Sequence, residues 1–322
     1  MTSGRMARIR RFRRSDADAV SALLRPLLLA EEISPPDQLR YRIGSFPRGS
    51  RPLWQVAESS GEVIGFASSE PQIFETIPGL RRLWAGVAAR CRGAGIGTAL
   101  YRAVEDHAVS IGCHTFRSWT AADMPGGVRF LERQGYSRSA TERQWAVDPR
   151  SVDTSELAER IASAARDGYR LATLGELLAA GKHRALHRLF MQAGADTPHP
   201  TDAGPVSFGT WRRFILDGPI LDHDASVVAV HGEELVALCW LNVDATSSRA
   251  VHEFTGTLPA HRHRGLAYLT KLAALDWAAR RGITDLGTAN DSGNRDILAL
   301  NRHLGYRRLA DVYIYQREPK TT

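Results

Sequence analysis

No apolar run in this 322-residue sequence approaches the roughly 18 residues that a membrane-spanning helix requires. The opening residues, Met1-Thr2-Ser3-Gly4-Arg5, have no apolar stretch of the kind a secretory signal carries. The expectation is a cytoplasmic protein with no membrane partner. Cysteine is scarce: Cys91, Cys113 and Cys239 show no paired spacing of a zinc or redox site, and a small odd number suits a reducing compartment. They are expected to be buried and inert, and no metal is expected. Lysine is scarcer than its charge class would suggest, standing only at Lys182, Lys271 and Lys320, so the formal charge of +7 is almost all arginine. Those arginines are scattered among acidic residues, not gathered into a basic tail. That argues against a nucleic-acid partner, although a modest positive field still favours capture of a polyanionic ligand.

What the sequence does have is a repeat of long period. Arg92-Gly93-Ala94-Gly95-Ile96-Gly97 has a counterpart 170 residues later in Arg262-His263-Arg264-Gly265-Leu266-Ala267. The same offset relates Gly112 to Gly282, Gly135 to Gly305 and Tyr136 to Tyr306. Each copy reads in the same order. The first has a strand at 8–12, a helix at 16–29, a hairpin turning at Ser60-Gly61, a strand at 80–87, the glycine loop, a helix stopped by Gly112, a strand and a further helix. The second repeats this from 169, with its hairpin about His231-Gly232 and its helix stopped near Gly282. The expected fold is α+β: two tandem domains of one type, each a mixed, mostly antiparallel sheet flanked by helices. The expected bounds are 1–150 and 169–322, joined by a linker at 151–168 that opens after Asp148-Pro149 and holds a short helix.

The loop is the feature that carries chemistry. A strand that ends in Arg-x-x-Gly-x-Gly/Ala and opens a helix directs unpaired backbone N–H groups at a diphosphate. Gly95 and Gly265 remove the side chain that would block approach. Each arginine adds charge-assisted bonds of about 1.5–3 kcal/mol, more than the ~0.3–1 kcal/mol of the helix dipole. A dinucleotide fingerprint would need a third glycine where Thr98 stands, and no Gly-Lys-Ser/Thr follows to make a triphosphate loop. No Gly-x-Ser-x-Gly elbow is present.

With loop, hairpin and strand duplicated in this way, the sequence resembles the GNAT superfamily of acyl-CoA-dependent N-acyltransferases over nearly its whole length. It looks most like the bacterial two-domain members, mycothiol synthase among them. The resemblance implies acetyl-CoA as acyl donor. It would be held through the loop of the first copy, Arg92, Gly93, Ala94, Gly95, Ile96, Gly97 and Thr98, and through Arg262, His263, Arg264, Gly265, Leu266, Ala267 and Tyr268 of the second. The strand before each loop, at Ala85, Gly86 and Val87 and at Thr255, Gly256 and Thr257, would pair with the pantetheine arm. The family's strand glutamate, nine residues before the loop, falls on Glu253 in the second copy and on Leu83 in the first. The pantetheine-binding asparagine falls on Asn294 in the second and on Met124 in the first. The position of the tyrosine acid falls on Asn301 and Leu131. An amide can hydrogen-bond a sulfur but is no acid, which leaves Tyr306, Tyr313, Tyr315 or a water for that role.

The resemblance therefore implies a catalytic second domain, with Glu253 as base and Asn301 beside the sulfur, and a degenerate first domain. The expected activity is transfer of an acetyl group to a primary amine of a small molecule by a monomer or homodimer. Acetylation of a protein lysine or N-terminus, and a non-catalytic acyl-CoA sensor, are the alternatives. Phe208 and Trp211 are further candidates, for lining an acceptor cleft.

Overall fold

The computed structural model describes residues 7–75, 77–195 and 204–318. In the first half, strand β1 (Arg8–Arg11) leads to helices α1 (Ala17–Leu24) and α2 (Pro36–Ser45), then strands β2 (Leu53–Ser59), β3 (Glu62–Pro71) and β4 (Leu80–Val87). Helix α3 (Ile96–Ser110), strand β5 (Thr115–Ala121), helix α4 (Pro125–Arg133) and strand β6 (Ser137–Val147) complete it. Helix α5 (Leu157–Arg166) occupies the connection. The second half runs β7 (Tyr169–Thr173), α6 (Leu174–Ala179), α7 (His183–Gly194), α8 (Phe208–Trp211), β8 (Val227–His231), β9 (Glu234–Asp244) and β10 (Arg249–Thr257). It ends with α9 (Leu266–Arg280), β11 (Asp285–Asp291), α10 (Arg295–His303), β12 (Arg307–Arg308) and β13 (Val312–Arg317). The pairs α3 and α9, β5 and β11, and α4 and α10 have bounds separated by the same 170 residues seen in the sequence.

The strands form one continuous sheet in the order β1-β2-β3-β4-β5-β13-β6-β11-β10-β9-β8-β7, with β12 beside β6. The two sheets expected from the repeat are thus joined through their last strands, which are exchanged. Strand β13 of the second half pairs with β5 of the first, and β6 of the first pairs with β11 of the second. At the centre β6 and β13 run antiparallel with Glu142 opposite Val312. These two positions are each other's repeat equivalents, so an internal two-fold axis passes through that pair. Only β4–β5 and β10–β11 are parallel, and each pairs over three residues before the strands part.

The first helix ends earlier than its composition indicates. It stops at Leu24, because Pro26 supplies no N–H and crowds the preceding turn. The following residues instead cross to the second half. Arg249 donates to the Leu29 carbonyl (2.8 Å), and the Ala30 N–H donates to Gln144 Oε1 (3.0 Å). The Ala30 carbonyl lies flat on Gly287 of β11, where an added Cβ would stand 1.7 Å from that oxygen.

A Gly287→Ala substitution therefore has no room, and it should cost at least the ~1–3 kcal/mol typical of overpacking. The control is Gly126→Ala on α4, where a Cβ meets nothing within 4 Å. Thermal denaturation should show a lowered midpoint for the first variant and little change for the second; equal midpoints would contradict this packing.

Candidate functional site

Both glycine loops are built alike. Gly95 and Gly265 cap α3 and α9 in the left-handed conformation (φ 79° and 74°). The first helical bonds run from Ala99 N to Gly95 O and from Leu269 N to Gly265 O. The N–H groups of Ile96, Gly97 and Thr98, and of Leu266, Ala267 and Tyr268, thus precede the helical ladder. Arg92 Nε donates to the Val87 carbonyl and Arg262 Nε to the Thr257 carbonyl, each at 3.1 Å, folding both arginines against the end of the preceding strand. Ala94 and Arg264 occupy the exposed crests. A Cβ at Gly93, Gly95 or Gly265 would meet nothing within 4 Å, so both cradles are open. His263 adopts φ 59° where the first loop has Gly93 (φ 82°), a left-handed conformation that a side chain adopts at some cost. Tyr268 turns its hydroxyl to Glu156, beside the connecting helix α5, and its ring lies under Arg160.

The two halves differ where the parallel strands part. Between β10 and β11 lies a cavity of about 380 Å³, lined by Glu253, Phe254 and Thr255 on one side and by Thr288, Ala289 and Asn290 on the other, with Lys271 and Asn294. Asn294 also caps α10, its Oδ1 accepting from Ile297 N (3.4 Å). Met124, at the same place in the first half, supplies no cap. In the first half Trp119 stands where the second has Ala289, with the Arg82 guanidinium 4.8 Å over its ring. Trp84 crosses Gly86 as Phe254 crosses Gly256, and Leu83 is fully buried. The first splay thus opens into a different cavity, of about 270 Å³, formed with the second half.

Glu253 lines both cavities. The register of β10 against β9 shifts between His252 and Phe254, so Glu253 is the extra residue of a β-bulge. Its Oε2 accepts from Asn242 Nδ2 (2.7 Å). The residue is solvent-accessible, yet protein surrounds its carboxyl closely enough that desolvation raises its pKa, opposed by Arg42 and the Asn242 bond. Three more carboxyls surround the junction. Glu31 is pushed well above the usual range by burial and by Glu142, Glu32 and Glu253. Burial raises Glu32 too, although it accepts from Leu29 N. Burial and the neighbouring Asp291 and Glu32 lift Glu142 to about 7.

Residues 18–136 match the family model described as the acetyltransferase (GNAT) family. No curated protein matches the sequence. Among solved structures, the tandem GNAT protein from the clavulanic acid biosynthesis pathway is 19% identical at a TM-score of 0.73, with 98% of this chain and 99% of that one covered. A GCN5-related N-acetyltransferase from Sphaerobacter thermophilus is 17% identical at 0.67, covering 97% and 95%. Residues 18–136 thus match the GNAT acetyltransferase family, and the chain as a whole has the fold of tandem GNAT proteins. The family model falls on the half that keeps the glycine-rich loop but has leucine at the bulge position.

The remaining site candidates are distributed unevenly. Asn301 is fully buried and its amide is engaged: Oδ1 accepts from Lys271 Nζ (2.8 Å), and Nδ2 donates to Asn290 Oδ1 (2.8 Å). It supports Lys271, which reaches the cavity in its place. Tyr306 is buried and bonded to His252 Nε2 (2.6 Å). Strand exchange carries Tyr313 and Tyr315 to the core of the first half, away from the second splay. Trp211 is fully buried against Phe190 and Trp240, with Phe208 packed on it, and neither lines either of these two cavities. Cys239 is buried, its thiol pushed up to about 11, whereas Cys91 and Cys113 are only half-buried, on the first half's core. Among the described residues no His, Cys, Asp or Glu group is disposed to hold a metal, and no helix is long and apolar enough to cross a membrane.

Sequence reasoning missed Lys271, Glu31, Glu32 and Glu142. A signal for the first was present: Lys271 is one of three lysines in the chain and occupies the repeat position of Tyr101. Burial lowers its pKa from 10.5 to about 8. For a base with a depressed folded-state pKa, the unfolded chain binds more protons between those values. The charged lysine therefore weakens the fold at low pH, and stability returns as pH rises from 8 to 10.5. Relative to Lys271→Met, the wild type should gain about 3 kcal/mol across that window, measured by denaturant unfolding at each pH; parallel curves would refute the shift.

Proposed function

We propose that the chain transfers an acetyl group from acetyl-CoA to the primary amine of a small molecule, with the chemistry in the second half. The observation that carries this reading is Glu253, bulged out of β10 at the junction of the two cavities. The second splay has the form that the pantetheine arm needs. Beyond Val251 the edge of β10 has no strand partner on its β11 side among the described residues, so its peptide groups suit an extended ligand bound as an added strand would be. The open cradle from Arg262 to Tyr268 suits the diphosphate, and Thr255, Gly256, Thr257 and Asn294 suit the arm.

Acetyl-CoA supplies an activated acyl group on a thiol leaving group. Glu253 accepts the proton that the acceptor ammonium must lose before it can attack, and its raised pKa makes it a better base than a solvated carboxylate. Lys271 retains a proton at Nζ up to about pH 8 in the same cavity, held by Asn301, and is the group we assign to protonating the departing sulfur. His252, kept neutral by burial and by Lys271, is not a competing cation. An inter-half cavity of about 270 Å³ favours a small acceptor over a protein chain. The first half, with Trp119 in its splay and Leu83 at the bulge position, serves as a wall of the acceptor cavity.

Glu253→Gln should lower kcat by roughly 10²–10⁴-fold while leaving the CoA dissociation constant within about twofold. Calorimetry should find one CoA per chain. Turnover unaffected by the substitution would remove Glu253 as base, and two equivalent CoA sites would remove the assignment of the first half as a wall.

A further inference from the structure

The inter-half cavity carries more acid than its own cations balance. Glu31, Glu32, Glu70 and Glu253 face it against Arg42 and Arg82. Glu70 consumes both guanidiniums and the Trp54 Nε1–H besides. Glu253 has Asn242 and Glu32 has the Leu29 N–H. That leaves Glu31, which forms no ion pair with any Arg, Lys or His among the described residues and on which the carboxylates of Glu142, Glu32 and Glu253 act. Its place is not accidental, because the segment bearing it is bonded to β10 of the second half, through Arg249 to Leu29, and to the exchanged strand β6, through Ala30 to Gln144.

A second, independent observation concerns Gln38. It lines the same cavity, is 9% exposed, and its Oε1 is buried with no hydrogen-bond donor. Gln38 Oε1 and the Glu31 carboxylate both accept hydrogen bonds and lack a donor, and an ammonium group supplies several. Trp54, Phe66, Trp84 and Trp119 provide aromatic walls, whose ring faces favour a cation over a neutral group.

Resting on the proposed acetyl transfer, we infer that the acceptor carries a second cationic centre besides the amine acetylated, and that Glu31, with Gln38, binds this centre while Glu253 receives the reacting amine. Charged Glu31 is disfavoured beside the other carboxylates while no ligand is bound, and the ligand's second charge restores it. Neutral and anionic amines lack this interaction, and an acceptor carboxylate would face four glutamates.

The test compares α,ω-diaminoalkanes of three to six carbons with n-alkylamines of equal length, reading kcat/KM and, without acetyl-CoA, equilibrium binding. The best diamine should exceed its monoamine by at least tenfold in both. Glu31→Gln should bring that ratio to within about twofold. Should this variant fail to fold, Glu31→Asp, which keeps the charge but shortens its reach, should move the optimum to a longer diamine. No diamine preference in the wild type, or one that neither Glu31 variant alters, overturns the inference. Binding discrimination without transfer would keep the cation site and reject the acetyl-transfer reading. Transfer to every amine alike would do the reverse.

Discussion

The antiparallel pairing of β6 with β13 is the contact on which the rest of the molecule depends. It places Glu142 opposite its own repeat equivalent, Val312, and so sets the internal two-fold relation of the halves. Because each of these strands also pairs with the other half's fifth strand, neither half has a complete sheet by itself. Backbone hydrogen bonds, which cannot be left unmade in a buried sheet without loss, hold the two halves in one fixed relation. The inter-half cavity is a consequence of that relation. Glu253 from the second half and Arg82, Trp84 and Trp119 from the first face a common space because the sheet is continuous.

Duplication of a fold did not produce duplicate sites. The glycine loops remain alike down to the bond from each arginine to the strand before it. The splays have diverged through a few substitutions at equivalent positions: Leu83 against Glu253, Trp119 against Ala289, and Tyr101 against Lys271. Each makes the first half more apolar or fuller. A buried Tyr101 hydroxyl bonds Tyr136 at 2.9 Å, which stabilises a core; the lysine in its place is held by Asn301 and faces a cavity. The same backbone thus gives packing in one half and a charged recess in the other.

Much of this was legible in the sequence. The 170-residue offset gave the two halves, and the hairpins, the loop geometry and the positions of α3 and α9 followed from local turn and capping chemistry. Glu253 was singled out by the family resemblance, through its spacing to Arg262, and it stands at the junction of the two cavities. The exchange of β6 and β13 was not, because pairing partners far apart in sequence leave no local signature, and so Tyr313 and Tyr315 were expected in the wrong half. Asn301 was expected beside the sulfur, since sequence cannot show that Lys271 and Asn290 would take its amide. Glu31 and Glu32 stand just past the helix expected at 16–29 and were given no role. Pro26 was the available clue, and it marks where the chain leaves the helix to carry them across the interface.

The exchanged strands also bear on how such a chain is made. Strand β5 ends at Ala121 and its neighbour β13 starts at Val312, and at about 5–20 residues per second the ribosome needs roughly 10–40 s to span that interval. Throughout it, the nascent first half presents an unpaired strand edge, the kind of surface that recruits other chains. Completion of the sheet must await synthesis of β13, so the interval before that strand emerges is when the first half is most exposed to misassembly.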